Sequence, residues 1–219
     1  IVVVGELGLN GEVKFTNGIL PMVMQAKQEG KKVCLVPKEN ALEGAVVDGI
    51  DVIGVETLRD AIEYFLAEPM ERSRLFKPQK ADLKELMSTQ GIDCGLDFGE
   101  ISGQEHVKKA VETAAAGFHH ILLIGAPGAG KTMIAKRIPS VLPPLSLEDS
   151  LEVSKIYSIS GLLNEKQSLI TQRPFCSPHH TISEQAFAGG GRIPKPGTVS
   201  LAHKGVLFLD EVVHFSNAA

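Results

Sequence analysis

One stretch of eight residues has the residue types and spacing of a phosphate-binding loop. It matches the pattern G-x-x-x-x-G-K-[ST] at every fixed position and consists of Gly125, Ala126, Pro127, Gly128, Ala129, Gly130, Lys131 and Thr132. Glycines let the backbone turn so tightly that successive N–H groups face an anion, the lysine adds a cation, and the threonine hydroxyl can ligate Mg²⁺. The stretch therefore predicts that these eight residues bind ATP and that Thr132 binds the metal ion.

The residues on either side predict the strand and the helix that such a loop requires. Residues 120–124 are an apolar run of strand length, and residues 132–138 place apolar side chains at helical spacing until Pro139 ends the pattern. A glycine-rich turn before an ordinary helix is the alternative interpretation. The order of strand, loop and helix favours the nucleotide site.

Two adjacent carboxylates follow a second apolar run. Residues 205–209 predict a strand, and Asp210 and Glu211 come directly after it. In P-loop ATPases an acid at this position holds Mg²⁺, and the next acid can orient the water that attacks the γ-phosphate. We therefore assign Asp210 to the metal ion, and Glu211 together with Lys131 to catalysis. A strand that ends in two solvated acids is the alternative.

The composition predicts a globular protein without a membrane-spanning segment. The chain has 219 residues, of which 43% are hydrophobic, and a net charge of −4, which suits one or two domains. No apolar run approaches the roughly 20 residues that cross a bilayer. The unpaired spacing of Cys34, Cys94 and Cys176 indicates free thiols, so we expect a cytoplasmic location. Because the chain begins in an apparent strand without a methionine, we expect a fragment.

The first of three expected regions, residues 1–66, alternates strands and helices and predicts a small α/β module. The Asn10-Gly11 step indicates a hairpin turn, and Asn40 with Glu43 resembles a capping box. Residues 67–97 indicate an interdomain linker with a short helix around 80–88.

The remaining region, residues 98–219, is expected to be an ATPase core that is truncated after the motif containing Asp210 and Glu211. Ser102 and Glu105 predict a capping box for a helix that ends at 116. The spacing between the two ATP motifs leaves spare residues at 173–204, which predict an insertion.

Inside this insertion, glycines at 189–191 and a Pro-Gly turn predict a projecting hairpin. Residues 166–204 carry five Lys or Arg against one Glu. Arg192 and Lys195 are therefore candidate contacts to DNA phosphates, with a merely solvated turn as the alternative. Cys176, His179 and His180 suggest a zinc site, but no second ligand pair has suitable spacing, which favours hydrogen-bonded loop histidines.

Part of the first region resembles the second half of a Lon-type protease domain. The likeness lies in Leu9-Asn-Gly-Glu-Val13, in Asn17-Gly18-Ile19 and in Val36-Pro-Lys-Glu-Asn40. Lon-type proteases have their catalytic lysine two residues after the glycine that matches Gly18, where this chain has Leu20. Since a leucine cannot activate a serine nucleophile, the resemblance implies the fold without peptidase activity.

The second half of the chain resembles the magnesium-chelatase-like AAA+ ATPases of the ComM/YifB family. The likeness lies in residues 173–183 (Arg-Pro-Phe-Cys-Ser-Pro-His-His-Thr-Ile-Ser), in the three glycines from 189, in residues 196–205 and in the strand before Asp210. Members of this family also have the Lon-like module. Two departures are Cys176, where an arginine is common, and Val-Val-His-Phe at 212–215, where Leu-Pro-Glu-Phe is usual.

The resemblance implies an α/β P-loop core with a parallel sheet, behind a partial Lon-like module. It also implies Mg²⁺-dependent ATP hydrolysis in a hexameric ring that remodels DNA, such as by branch migration during competence. A metal-chelatase-type subunit or a protein-remodelling ATPase is the alternative.

Overall fold

The computed structural model describes residues 1–88, 95–164 and 167–215 of the chain. Two compact units are present: unit 1 comprises Ile1–Leu86 with Ser154–Ile170, and unit 2 comprises Met87–Val153 with Thr171–Ala219. The domain boundaries expected at residues 66 and 97 stay a prediction. Cys94 and Lys166 lie outside the described residues, and Cys34 and Cys176 are free thiols.

The described strands are short, and most of the regular structure is helical. The strands are β1 (Val2–Val3), β2 (Glu6–Leu7), β3 (Val13–Lys14), β4 (Val33–Pro37), β5 (Asp51–Val55), β6 (Phe175–Cys176), β7 (Gly189–Gly190), β8 (Lys195–Pro196) and β9 (Val206–Leu207). The helices are α1 (Ile19–Gln28), α2 (Ala41–Ala45), α3 (Leu58–Leu66), α4 (Pro69–Leu75), α5 (Leu83–Ser88), α6 (Glu105–Ala116), α7 (Lys131–Arg137), α8 (Leu147–Ile159), α9 (Glu184–Ala188) and α10 (Thr198–Leu201). No helix in the described part of the chain is long and apolar enough to cross a membrane.

Unit 1 is built around a parallel sheet with the strand order β1-β4-β5. The central strand β4 is a continuous apolar run whose residues Cys34, Leu35 and Val36 are fully buried. Such runs are typical of parallel strands that are covered on both faces. Leu35 and Ile53 pack with Ala61 and Tyr64 of α3 in one core cluster. The predicted α/β character of this region is therefore confirmed.

Local signals in unit 1 were partly correct. The Asn-Gly step forms the turn of the antiparallel β2–β3 hairpin, and Gly11 has a φ of 83°, which glycine adopts without strain. The predicted capping box at Asn40 is wrong, because the Asn40 side chain makes no capping bond at the start of α2. Asn40 is instead buried and bonds to the backbone of Thr16 and to the carboxylate of Glu43.

Unit 2 contains a core cluster that includes a residue of the helix after the phosphate-binding loop. Phe98, Ile101, Val111 and Ile134 form this cluster, which joins the helices α6 and α7. The helix predicted to end at residue 116 is present as α6. The predicted capping box of Ser102 and Glu105 is absent. The residue before α6 is Gln104, which has a left-handed backbone (φ 54°) and makes no side-chain capping hydrogen bond.

The strand predicted at residues 120–124 is absent from the described structure. These residues lie directly before the phosphate-binding loop but have no ladder partner, and the side chains of Leu122 and Ile124 are 73% and 88% exposed. An apolar run becomes a strand only where a neighbouring strand accepts its backbone hydrogen bonds. In unit 2 the parallel pair is instead formed by β6 and β9, and β6 is not among the predicted strands.

Candidate nucleotide-binding site

The phosphate-binding loop has the backbone that its glycines predict. Gly128 and Gly130 have φ values of 79° and 83°, a conformation that strains any residue with a Cβ atom. Helix α7 begins at Lys131, immediately after the second of these glycines. Residues 125–129 are exposed, so their backbone is accessible to a ligand.

Lys131 lies folded over its own loop. Its Nζ donates hydrogen bonds to the carbonyl oxygens of Gly125 at 2.9 Å and Ala126 at 3.0 Å. Both acceptors are neutral carbonyl oxygens, whereas a phosphate oxygen carries negative charge and attracts the ammonium group through a full charge–charge interaction. The lysine is therefore placed to exchange two carbonyl contacts for phosphate contacts.

Thr132 and Asp210 meet although 78 residues separate them in the chain. The Thr132 hydroxyl donates to Asp210 Oδ2 at 3.0 Å, and both side chains are partly buried. A hydroxyl and a carboxylate are oxygen ligands of the kind that Mg²⁺ binds, and Mg²⁺ keeps several waters beside them. The two residues assigned to the metal ion are thus the two that the structure brings together.

Glu211 occupies the sharp turn that follows β9. It has a left-handed backbone, with φ and ψ both 50°, and its N–H donates to Asp210 Oδ1 at 3.1 Å. A positive φ is uncommon for a residue other than glycine. The turn fixes the backbone around Asp210 and leaves the Glu211 side chain exposed. We find no hydrogen bond of the Glu211 carboxylate to Lys131 or Thr132 in the described structure.

The contacts of two polar side chains, Gln104 and Arg137, were not predicted from the sequence. Gln104 Nε2 donates to the carbonyl oxygen of Ala129 at 3.2 Å, across 25 residues. Arg137 at the end of α7 pairs with the carboxylate of Glu100 at 2.8 Å and donates to the carbonyl of Asp97 at 3.1 Å. No local pattern marks these partners, because each contact joins separate segments.

Cys176 lies in β6, and His179 and His180 follow this strand in the chain. His179 Nδ1 lies 2.9 Å from the Thr181 hydroxyl, and the rings of His179 and His180 are 4.1 Å apart. No group of three metal-ligating side chains occurs in the described ranges. Burial raises the pKa of the Cys176 thiol, which disfavours the thiolate that zinc requires. The interpretation as hydrogen-bonded loop histidines therefore fits this geometry better than a zinc site.

The predicted hairpin of the insertion is present as β7 and β8, between α9 and α10. Arg192 and Lys195 are exposed, and Ile193 between them is 71% exposed. The base of the hairpin is closely packed, since a Cβ atom on Gly197 would lie 2.3 Å from the backbone nitrogen of Gly189. The structure does not bring Arg192 or Lys195 into hydrogen-bond contact with the phosphate-binding loop.

In this mixed α/β chain, the threonine of a phosphate-binding loop contacts an acid that follows a later strand. This arrangement is typical of the P-loop class of nucleotide-binding proteins. The family profile described as "Magnesium chelatase, subunit ChlI" matches residues 97–219, and the profile "Subunit ChlI of Mg-chelatase" matches residues 1–40. Together with the relatives described next, these matches show that the chain belongs to the magnesium-chelatase-like ComM/YifB family.

Three curated relatives align with nearly the whole chain. An uncharacterized protein of Mycobacterium tuberculosis is 44% identical over 216 residues, or 98% of this chain and 41% of the relative. Competence protein ComM of Haemophilus influenzae is 36% identical over 214 residues, and the uncharacterized protein YifB of Escherichia coli is 39% identical over 214 residues. Both alignments cover 97% of this chain and 40% of the relative. The chain thus spans about two fifths of the length of these relatives.

A shorter match supports the Lon-like character of part of the chain. Lon protease 2 of Bacillus subtilis is 34% identical over 79 residues, which is 35% of this chain and 14% of the protease. Leu20, where the sequence resemblance places the Lon lysine, is fully buried, and its N–H donates to the carboxylate of Glu43.

Proposed function

We propose that unit 2 binds ATP with Mg²⁺ and hydrolyses it. The observation that carries this proposal is the 3.0 Å hydrogen bond between Thr132 and Asp210, which joins the two oxygen ligands of a predicted metal site. The family description supports nucleotide and Mg²⁺ dependence. Lys131 and the exposed loop backbone supply the positive charge and the N–H donors that a triphosphate requires.

Each residue has a distinct task in this proposal. Lys131 and the backbone N–H groups of residues 128–132 bind and orient the phosphates, and Thr132 with Asp210 would hold Mg²⁺. The metal ion, when bound, neutralises charge that develops on the phosphate oxygens. Glu211, one residue beyond Asp210, would accept a hydrogen bond from the attacking water and align it with the γ-phosphate. The exposed position of its carboxylate leaves it free to reach that water.

We further propose that the energy of hydrolysis drives the remodelling of DNA, in a ring of several copies that we expect to be a hexamer. The hairpin with Arg192 and Lys195 supports DNA as the substrate, because exposed cations on a projecting element suit phosphate contacts. The name of the Haemophilus influenzae relative, competence protein ComM, also favours DNA as the substrate. The name of the family profile, magnesium chelatase, favours a metal-insertion subunit as the second candidate.

Nucleotide binding is tested by thermal unfolding with and without Mg-ATP. At about 100 times the dissociation constant, a ligand stabilises the folded state by about 2.7 kcal/mol. We expect that shift in the wild-type chain and none in Lys131→Ala. Lys136→Ala is the matched control, because Lys136 is an exposed lysine on the same helix. Equal shifts in all three proteins would refute the nucleotide site.

The substrate is tested by the rate of ATP hydrolysis with single-stranded DNA, branched DNA or a divalent metal with a porphyrin. Stimulation by DNA supports remodelling of DNA. Stimulation by the metal and porphyrin alone would favour the chelatase-type function.

A further inference from the structure

We propose that Ile193 is an apolar wedge that contacts unstacked bases where duplex DNA opens into single strands. The proposal rests on the proposed function, since it names the form of DNA that the hairpin recognises. Binding of phosphates by Arg192 and Lys195 does not require an apolar side chain, so the proposal gives Ile193 a separate role.

Ile193 is an exposed apolar side chain at the turn of the hairpin. It lies in the four-residue connection between β7 and β8 and is 71% exposed. The flanking side chains of Arg192 and Lys195 are exposed cations. The hairpin therefore combines one apolar contact with two cations.

The backbone of the hairpin is built to hold this side chain in place. Gly189 pairs with Pro196 and Gly190 pairs with Lys195 in the antiparallel ladder. A Cβ atom on Gly189 would lie 2.8 Å from the carbonyl oxygen of Lys195, so the two strands approach as closely as glycine permits. At the base, the Thr198 hydroxyl donates to the carbonyl oxygen of Ala186 at 3.2 Å. The connection thus projects from a well-packed stem.

This arrangement matches the chemistry of a DNA junction better than that of an intact duplex. Apolar side chains on DNA-binding elements contact base faces by entering between base steps, and this contact requires unstacking. The base pair next to the point where the strands separate has lost a stacking neighbour and opens at lower cost than one inside a duplex, while the adjacent phosphates remain available to the two cations. Charge complementarity therefore selects DNA, and the apolar side chain selects its opened form.

The experiment compares the binding of three labelled DNAs of equal length: a single strand, a blunt duplex and a fork. The first base pair of the fork carries 2-aminopurine, whose fluorescence rises when it unstacks. We expect the wild-type chain to bind the fork more tightly than the duplex and to raise this fluorescence. Ile193→Ser should lose about ten-fold in affinity for the fork, the order expected for one buried aliphatic side chain, and should lose the fluorescence rise.

Two variants control for the change of side chain. Ile193→Leu keeps an apolar side chain and should retain the fluorescence rise. Leu9→Ser removes the exposed leucine from the connection of the β2–β3 hairpin in unit 1, and it should leave binding of the fork unchanged. An equal loss of fork binding in Leu9→Ser would overturn the wedge, because any exposed apolar side chain would then suffice.

The outcomes separate the wedge from the proposed function. If Ile193→Ser binds the fork like the wild type while the double variant Arg192→Ala/Lys195→Ala binds weakly, the wedge is wrong and DNA binding stands. A wild-type chain that binds none of the three DNAs would overturn DNA as the substrate, and the wedge with it. Binding of a protein partner through Ile193 without any effect on DNA would likewise overturn the wedge.

Discussion

Replacing Glu43 with alanine should strongly destabilise unit 1. The Glu43 carboxylate is 5% exposed and accepts three hydrogen bonds. These come from the Leu20 N–H at 3.0 Å, the Ser158 hydroxyl at 2.5 Å and the Asn40 amide at 2.8 Å. All four residues belong to unit 1. Alanine removes the acceptor for all three donors at once.

The size of the effect follows from the donors that remain unpaired. Asn40 keeps a second hydrogen bond, to the carbonyl of Thr16, so Leu20 and Ser158 lose most. Each of those two groups is almost fully buried, and an unsatisfied buried donor costs about 1–3 kcal/mol. With the weakened Asn40 contact, we expect a loss of about 4 kcal/mol in the free energy of unfolding. Such a loss is a large part of the roughly 5–15 kcal/mol that stabilises a typical domain.

Intrinsic tyrosine fluorescence during urea denaturation measures this change in unit 1 alone. The chain contains two tyrosines and no tryptophan, and both Tyr64 and Tyr157 belong to unit 1. A lower denaturation midpoint with an unchanged slope would show that stability changed rather than the compactness of either state.

Two further variants of unit 1 make the test specific. Glu43→Gln keeps an oxygen for Leu20 and Ser158 but turns an amide toward the Asn40 amide, so it should lose only about 1–2 kcal/mol. Glu39→Ala removes an exposed carboxylate and should stay within about 0.5 kcal/mol of the wild type. If Glu43→Ala were no less stable than Glu39→Ala, the buried network would not stabilise unit 1.

Three further predictions concern ATP hydrolysis, proteolysis and DNA binding. Glu211→Gln should keep the affinity for ATP and lower hydrolysis by about 10²-fold, because a neutral amide does not orient the attacking water as a carboxylate does. Wild-type turnover in this variant would exclude Glu211 from catalysis. The purified protein should not cleave an unfolded polypeptide with or without ATP, because Leu20 is buried where Lon-type proteases have a lysine, and any cleavage that depends on ATP would contradict this. Arg192→Ala/Lys195→Ala should reduce the slope of log affinity against log salt by about 1.4 on single-stranded DNA. The control is Lys31→Ala/Lys32→Ala, which removes two exposed lysines of unit 1. An unchanged slope in the hairpin variant would show that the hairpin does not bind DNA.

Some patterns with a local physical cause were read correctly from the sequence. The helix predicted at residues 132–138 from apolar spacing is present as α7, and the short helix predicted around residues 80–88 is present as α5. The predicted hairpin turn of β2–β3 also formed, because Asn-Gly favours the left-handed backbone that such a turn requires. Predictions that depended on a distant partner were less accurate, as the missing strand at residues 120–124 shows.

The amino-acid sequence by itself determined which residues can bind phosphate and Mg²⁺, because the eight-residue loop and the adjacent acids are defined by residue type and short spacing. Only the tertiary structure decided which of them meet. The contact of Thr132 with Asp210 spans 78 residues, and that of Glu43 with Ser158 spans 115. Asn40 illustrates the physical reason: its sequence context predicts a helix cap, but burial made it bond to Thr16 and Glu43, because a buried polar group must find a partner wherever the fold places one.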